Sequence, residues 1–246
     1  MSETKVNIKT ADGTCDCYTY TAPGDAPAPA VILYMDGIGI RPELRAMAQR
    51  LASNGYFVLL PNMYYRAGDY PPLDVATMLT DETQRNRMMA LVQSVTNAGT
   101  VRDTTAFLDF LSKEPRVKGS KVGCVGYCMG GPLVLTAVGT FPDRMAAGAS
   151  IHGANLANDR PDSPHLLAPK IKASYYFAIA ANDDQRQPDA KDKLREAFAS
   201  AHQPIKIEVY QGCQHGWCVS DGMVYDKTEA DRAFGELVEL YKRALI

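Results

Sequence analysis

Cys128 stands between Gly126 and Gly130, with Gly131 next, at the end of the apolar run Val122-Gly123-Cys124-Val125. A helix-compatible apolar stretch follows. A strand that enters a helix through so tight a turn puts the middle residue on a strained corner, and flanking glycines relieve the crowding against neighbouring backbone. The pattern is that of a nucleophile elbow with a thiol at its tip. A thiol attacks an acyl carbon as thiolate, and its ordinary pKa of about 8.5 leaves little thiolate at neutral pH. A nearby histidine can take the proton and return it to the leaving group. A carboxylate on the far ring nitrogen then fixes the tautomer and supports the imidazolium.

The base must come from His152, His165, His202 or His215. His202 closes a helical segment on the opposite edge of the fold, and His165 lies in a proline-flanked loop. His152 ends an apolar run, but it precedes the candidate acids. His215, in the loop 211–222, completes the order nucleophile, acid, base. The acid is Asp183 or Asp184, with Asp184 preferred; read alone, both are also ordinary turn or cap residues.

These residues must be brought together by elements that the hydrophobic pattern makes visible. Residues 6–21 alternate and break at Asp12-Gly13, which predicts a hairpin at a sheet edge, with Cys15 and Cys17 on one strand face. Continuous apolar runs at 31–35, 56–60, 145–151 and 173–180 predict strands buried on both faces, joined by a further strand at 205–210. Helical periodicity marks 43–54, 81–94, 100–111, 132–138, 190–201 and 229–245, and Asn54-Gly55 stops the first. Residues 62–74, rich in tyrosine and proline, predict an irregular segment over a pocket. Strands alternating with helices throughout imply one α/β domain over residues 1–246, a three-layer sandwich around a central, mostly parallel sheet. Ligands of such sheets bind outside the carboxyl ends of the strands, where the loops beginning at Asp36, Tyr127, His152, Asp184 and Gln211 would emerge.

Composition narrows the function classes. Of 246 residues, 46% are hydrophobic and 22% charged, which is globular, and a formal net charge of -2 gives no electrostatic argument for nucleic acid or an anionic membrane. The six cysteines show no Cys-x-x-Cys pair and no zinc spacing. The start is polar rather than signal-like, and no apolar stretch is of transmembrane length. The expectation is a reduced, cytoplasmic, monomeric protein that acts on a small molecule without cofactor or metal.

Gly126-Tyr127-Cys128-Met129-Gly130-Gly131, with Asp184-Gln185-Arg186-Gln187-Pro188 and Gly212-Cys213-Gln214-His215-Gly216, resembles the dienelactone hydrolase (carboxymethylenebutenolidase) family of the α/β-hydrolases. The likeness covers nearly the whole chain. It implies Cys128 as nucleophile, Asp184 as acid, since Pro188 follows it by four residues, and His215 as base. It implies backbone amides of Gly37 and Met129 as the oxyanion hole, and Asp36 where the family has a glutamate that holds the resting thiol. Arg85 matches one of two arginines that bind a substrate carboxylate; Met89 replaces a tyrosine, and Val219 replaces the second arginine. Arg87 is a neighbouring candidate. With one bidentate anchor missing, carboxylate binding should weaken, and Tyr64, Tyr65, Trp217 and Met89 point to a flatter, more apolar ester or lactone. The activity implied is hydrolysis of small esters or lactones through a thioester acyl-enzyme. The alternative is a small-molecule-binding or interaction protein on the same scaffold with no catalysis.

Overall fold

The computed structural model describes all residues except Met1, Pro23, Asp25, Leu79 and 200–203. The expected position of His202 at a helix end therefore lies outside the described residues. The edge hairpin forms as the alternation predicts: β1 (Ser2–Thr10) pairs antiparallel with β2 (Gly13–Thr21). Cys15 and Cys17 share the buried face of β2, their sulfurs 3.5 Å apart.

From there the chain alternates. β3 (Ala28–Tyr34) leads to α1 (Pro42–Ser53), and β4 (Phe57–Pro61) leads to an irregular stretch with one short 3-10 turn at Tyr65–Ala67. α2 (Glu82–Ser94) and α3 (Asn97–Lys113) follow, each begun by a side-chain cap, from Asp81 and Thr96. β5 (Val117–Tyr127) runs into α4 (Gly130–Thr140), then β6 (Met145–Ile151), a short 3-10 segment at Pro164–Lys170 and β7 (Ser174–Ala180). α5 (Ala181–Arg186), α6 (Ala190–Ala199), β8 (Ile205–Tyr210) and α7 (Lys227–Leu245) complete the chain.

All eight strands form one sheet in the order β1-β2-β4-β3-β5-β6-β7-β8. From β4 to β8 every pairing is parallel, while β1 and β2 are antiparallel. This is the expected α/β-hydrolase architecture, with β3 and β5 through β7 at the centre and nearly every central residue buried. Leu33, Val125, Ala149 and Phe177 are all inaccessible, which is why these strands read as unbroken apolar runs. α4 is buried along almost its whole length, so its amino end is held rigidly beneath the β5 terminus. Among the described residues no helix is long and apolar enough to cross a membrane.

Candidate active site

The turn between β5 and α4 has the strain expected of an elbow. Cys128 sits at φ +53°, a left-handed conformation that is rare for a residue with a side chain. Its N–H donates to Ile151 O at 3.1 Å, and its carbonyl accepts from Gly131 N–H at 3.1 Å. The neighbouring glycines are required by space: a Cβ on Gly126 would lie 2.1 Å from Gly130 O, and one on Gly130 would lie 2.5 Å from Tyr34 O. The strand, the helix and β3 are packed too closely at the corner for any side chain except the one that points out.

The imidazole of His215 reaches that corner. Its Nδ1 lies 2.6 Å from Oδ2 of Asp183, and since an ionised carboxylate only accepts, Nδ1–H is the donor. The Cys128 thiol is the ring's other electrostatic neighbour. Burial alone would push the His215 pKa down; the hydrogen bond to Asp183 and the nearby Cys128 sulfur outweigh it and push the pKa up to about 10. The backbone N–H of His215 donates to Asn182 Oδ1 at 2.8 Å, so adjacent side chains grip the main chain and ring of one histidine. His152, the competing base, is fully buried beside this ring and holds neither acid.

The expected acid, Asp184, is corrected by this geometry: its Oδ1 pairs with Lys191 Nζ at 2.6 Å, and Asp183 faces the histidine. The segment after β7 is a helical turn rather than a loop, and consecutive residues of a helix point about 100° apart. Only one of two neighbouring aspartates can face the ring.

Asp36 is also engaged elsewhere. Its Oδ1 accepts from Ile38 N–H at 2.9 Å, Gly39 N–H at 3.2 Å and Arg41 Nη1 at 2.9 Å. Arg41 in turn holds Asp221, in the loop that carries His215, through Nε at 2.7 Å and Nη2 at 3.1 Å. The carboxylate thus fixes the turn after β3 and ties it to the histidine loop. Tyr64, expected to line the pocket, is instead buried behind this turn, where its hydroxyl donates to Gly37 O at 2.8 Å and contacts Met129 Sδ at 3.4 Å. It braces both residues expected to supply oxyanion amides.

Gly37, Cys128 and Met129 line one cleft of about 660 Å³. Its apolar wall is α2, through Met88, Met89 and Val92; the opposite wall is the loop after β6, with Asn155, Asn158, Arg160 and Asp162. Arg85 and Arg87 are not among the residues that line it; Arg87 donates instead to Pro71 O at 2.8 Å. Arg160, the one arginine of the lining, is held by both oxygens of Asp162, each at 3.0 Å. Trp217 is completely buried, stacked on Tyr210 with centroids 4.8 Å apart, and Tyr65 bonds the buried Asp103 away from the cleft. Both were expected to shape the substrate wall; Trp217 instead serves the core and Tyr65 packs half-buried against it. The polar wall from 155 to 162 was missed; the signal available was its position just after a strand that ends at the carboxyl edge.

The profile of the dienelactone hydrolase family matches residues 16–245. Carboxymethylenebutenolidase from Pseudomonas putida is 25% identical over 221 residues, 89% of this chain and 88% of its own length. The hydrolase tropI of Talaromyces stipitatus is 25% identical over 209 residues, covering 85% of this chain and 78% of its own. Among solved structures, a Klebsiella pneumoniae subsp. pneumoniae protein superposes with TM-score 0.82 at 20% identity, over 98% of both chains. A dienelactone hydrolase-like promiscuous phosphotriesterase from metagenomic libraries gives TM-score 0.76 at 22% identity over the full length of both. With the family profile spanning the parallel strands, the elbow and the histidine loop alike, the chain belongs to the dienelactone hydrolase family and is a hydrolase of that kind.

Proposed function

We propose that this protein hydrolyses small, uncharged carboxylic esters or lactones through a Cys128 thioester, with Asp183 and His215 completing the triad. The observation that carries this reading is His215 hydrogen-bonded to Asp183 through Nδ1 while the Cys128 thiol, on its strained corner, is the ring's other electrostatic neighbour. His215 takes the thiol proton on Nε2 as the Cys128 sulfur adds to the carbonyl carbon, and the carbonyl π electrons move onto oxygen. Amides of Gly37 and Met129 receive that oxyanion, helped at Met129 by the amino end of α4. As the C–O bond breaks, His215 gives its proton to the leaving alkoxide. It then removes a proton from water, whose oxygen attacks the thioester and releases the acid and the thiolate. A lactone's leaving group stays tethered, so water attack must outrun re-closure.

Two features support an uncharged substrate. The wall formed by α2 is chiefly methionine and valine, with Gln93 beside them, and the cleft's arginine is already paired with Asp162. Removing the nucleophile with Cys128→Ala tests the mechanism: turnover of an activated aryl ester should vanish while circular dichroism and melting stay native. Near-native turnover would overturn it. Matched esters with and without a free carboxylate test the substrate class, and a preference for the carboxylate would sink that part alone.

A further inference from the structure

His152 is completely buried at the carboxyl end of β6, and the steps above do not use it. It carries three unfavourable features together. Its backbone is left-handed, at φ +40°, and neither ring nitrogen has a hydrogen-bond partner among the described residues. Buried polar atoms are almost always paired, and strain of this kind collects at functional sites. An apolar ring would fill the same space without orphaned nitrogens.

The sheet gives His152 a particular place. β6 lies between β5, which ends in the nucleophile, and β7, which leads into Asp183. The residue before His152 accepts the Cys128 N–H, and His152 N–H donates to Ala178 O on β7 at 2.8 Å. Its ring lies edge-on to His215, with centroids 5.0 Å apart and planes at 62°. Trp217 packs on it at 5.2 Å and Tyr127 at 5.8 Å. The titratable groups facing it are therefore Tyr127 from β5 and His215 from the loop after β8.

We propose that His152 is a positioning residue whose neutral imidazole, fixed against His215, stabilises the protonated His215 ring and keeps it aimed at Cys128. The inference rests on the hydrolytic reading above. A ring with unengaged nitrogens is a fixed dipole beside a group whose charge changes during turnover. Burial, and then the charge on His215, holds the His152 pKa well below the usual histidine range, so it does not compete for the proton.

Two variants separate this role from packing. His152→Phe keeps the ring and removes both nitrogens; His152→Asn keeps a polar group, tolerates positive φ and loses the ring. Mispositioning of a base readily costs orders of magnitude, so the expectation for His152→Phe is kcat on an aryl ester lower by about 10-fold or more with melting unchanged or higher. KM should stay within about 2-fold, because substrate binding is not touched. His152→Asn should melt lower yet retain more kcat than His152→Phe. Wild-type kcat in His152→Phe, or kcat that follows melting temperature across the three proteins, overturns the proposal.

If His152→Phe does not fold, histidine NMR of the wild-type chain decides. The His152 ring should remain neutral from roughly pH 5 upward while its shifts follow the titration of His215 near pH 10. An independent titration near the ordinary histidine value, or shifts indifferent to His215, overturns the pairing. A wild-type protein that hydrolyses no ester would instead refute the hydrolytic reading, and this spectrum would still test the two rings.

Discussion

His215 Nδ1 lies 2.6 Å from Asp183 Oδ2, and the neighbouring Asp184 holds Lys191 at the same distance. Two adjacent carboxylates have therefore been given unrelated work. Asp183→Asn should lower kcat by about 10⁴, because an amide that donates to Nδ1 enforces the wrong tautomer. Asp184→Asn removes only a partly exposed ion pair, worth about 1 kcal/mol or less, and should leave kcat near wild type. Steady-state kinetics of the two variants distinguish them; equal losses would contradict the assignment.

The half-buried His215 and the buried His152 set a pH profile of stability with opposite slopes. His215 has its pKa raised to about 10 by Asp183 and Cys128 against burial. Its contribution is fully present below the unfolded value of about 6.5 and is lost as pH rises through about 10. His152 has its pKa depressed, so the unfolded chain gains a proton that the native chain refuses, and stability is lost as pH falls below about 6.5. Denaturant titrations across pH should show a maximum near neutrality, with the alkaline decline reduced in Asp183→Asn.

Gly126→Ala should fail to fold or lose on the order of 3 kcal/mol or more, as overpacking against fixed backbone does. The added Cβ would meet Gly130 O at 2.1 Å. Neither partner can yield, because one belongs to a central strand and the other to the buried first turn of α4. A thermal melt of the purified variant checks this.

Arg41→Ala leaves the Asp36 carboxylate, 4% exposed, without its cation. Breaking a buried pair from one side costs about 3–5 kcal/mol. The double variant Asp36→Asn, Arg41→Met should recover much of that, since the uncompensated charge is gone. Because Arg41 also anchors Asp221 in the histidine loop, kcat should fall in the single variant even below its melting point. A single variant as stable as wild type would show the pair to be dispensable.

The strands and the elbow were legible in the sequence because burial on both faces writes an unbroken apolar run, as at Met145–Ile151. Gly126 and Gly130 marked the corner because nothing larger fits there. Which aspartate faces His215 was not legible: whether the chain leaves β7 as a loop or as a helical turn decides it, and a one-residue phase is beyond what composition encodes. Aromatic residues misled for a related reason. Trp217 and Tyr64 suit a pocket wall as well as a core, and only the tertiary packing sent them inward. His152 could be read as a strand-terminal histidine but not as a buried one, since burial came from Trp217 and Tyr127, distant in sequence.

α2 stands apart from the other helices of ten residues or more in burying no side chain among the described residues. Its Met88 and Val92 rest over Gly37, with Val92 Cγ2 only 3.2 Å from where a Cβ there would be. Its footing in the core is limited to the half-buried Leu91 and Val92, so this roof should lift at lower free-energy cost than its neighbours, since stabilisation scales with apolar area withdrawn from water. The floor that carries Cys128, by contrast, is bolted into the parallel sheet. Guests larger than the chamber would thus be admitted by tilting the ceiling alone, leaving the sulfur undisturbed below.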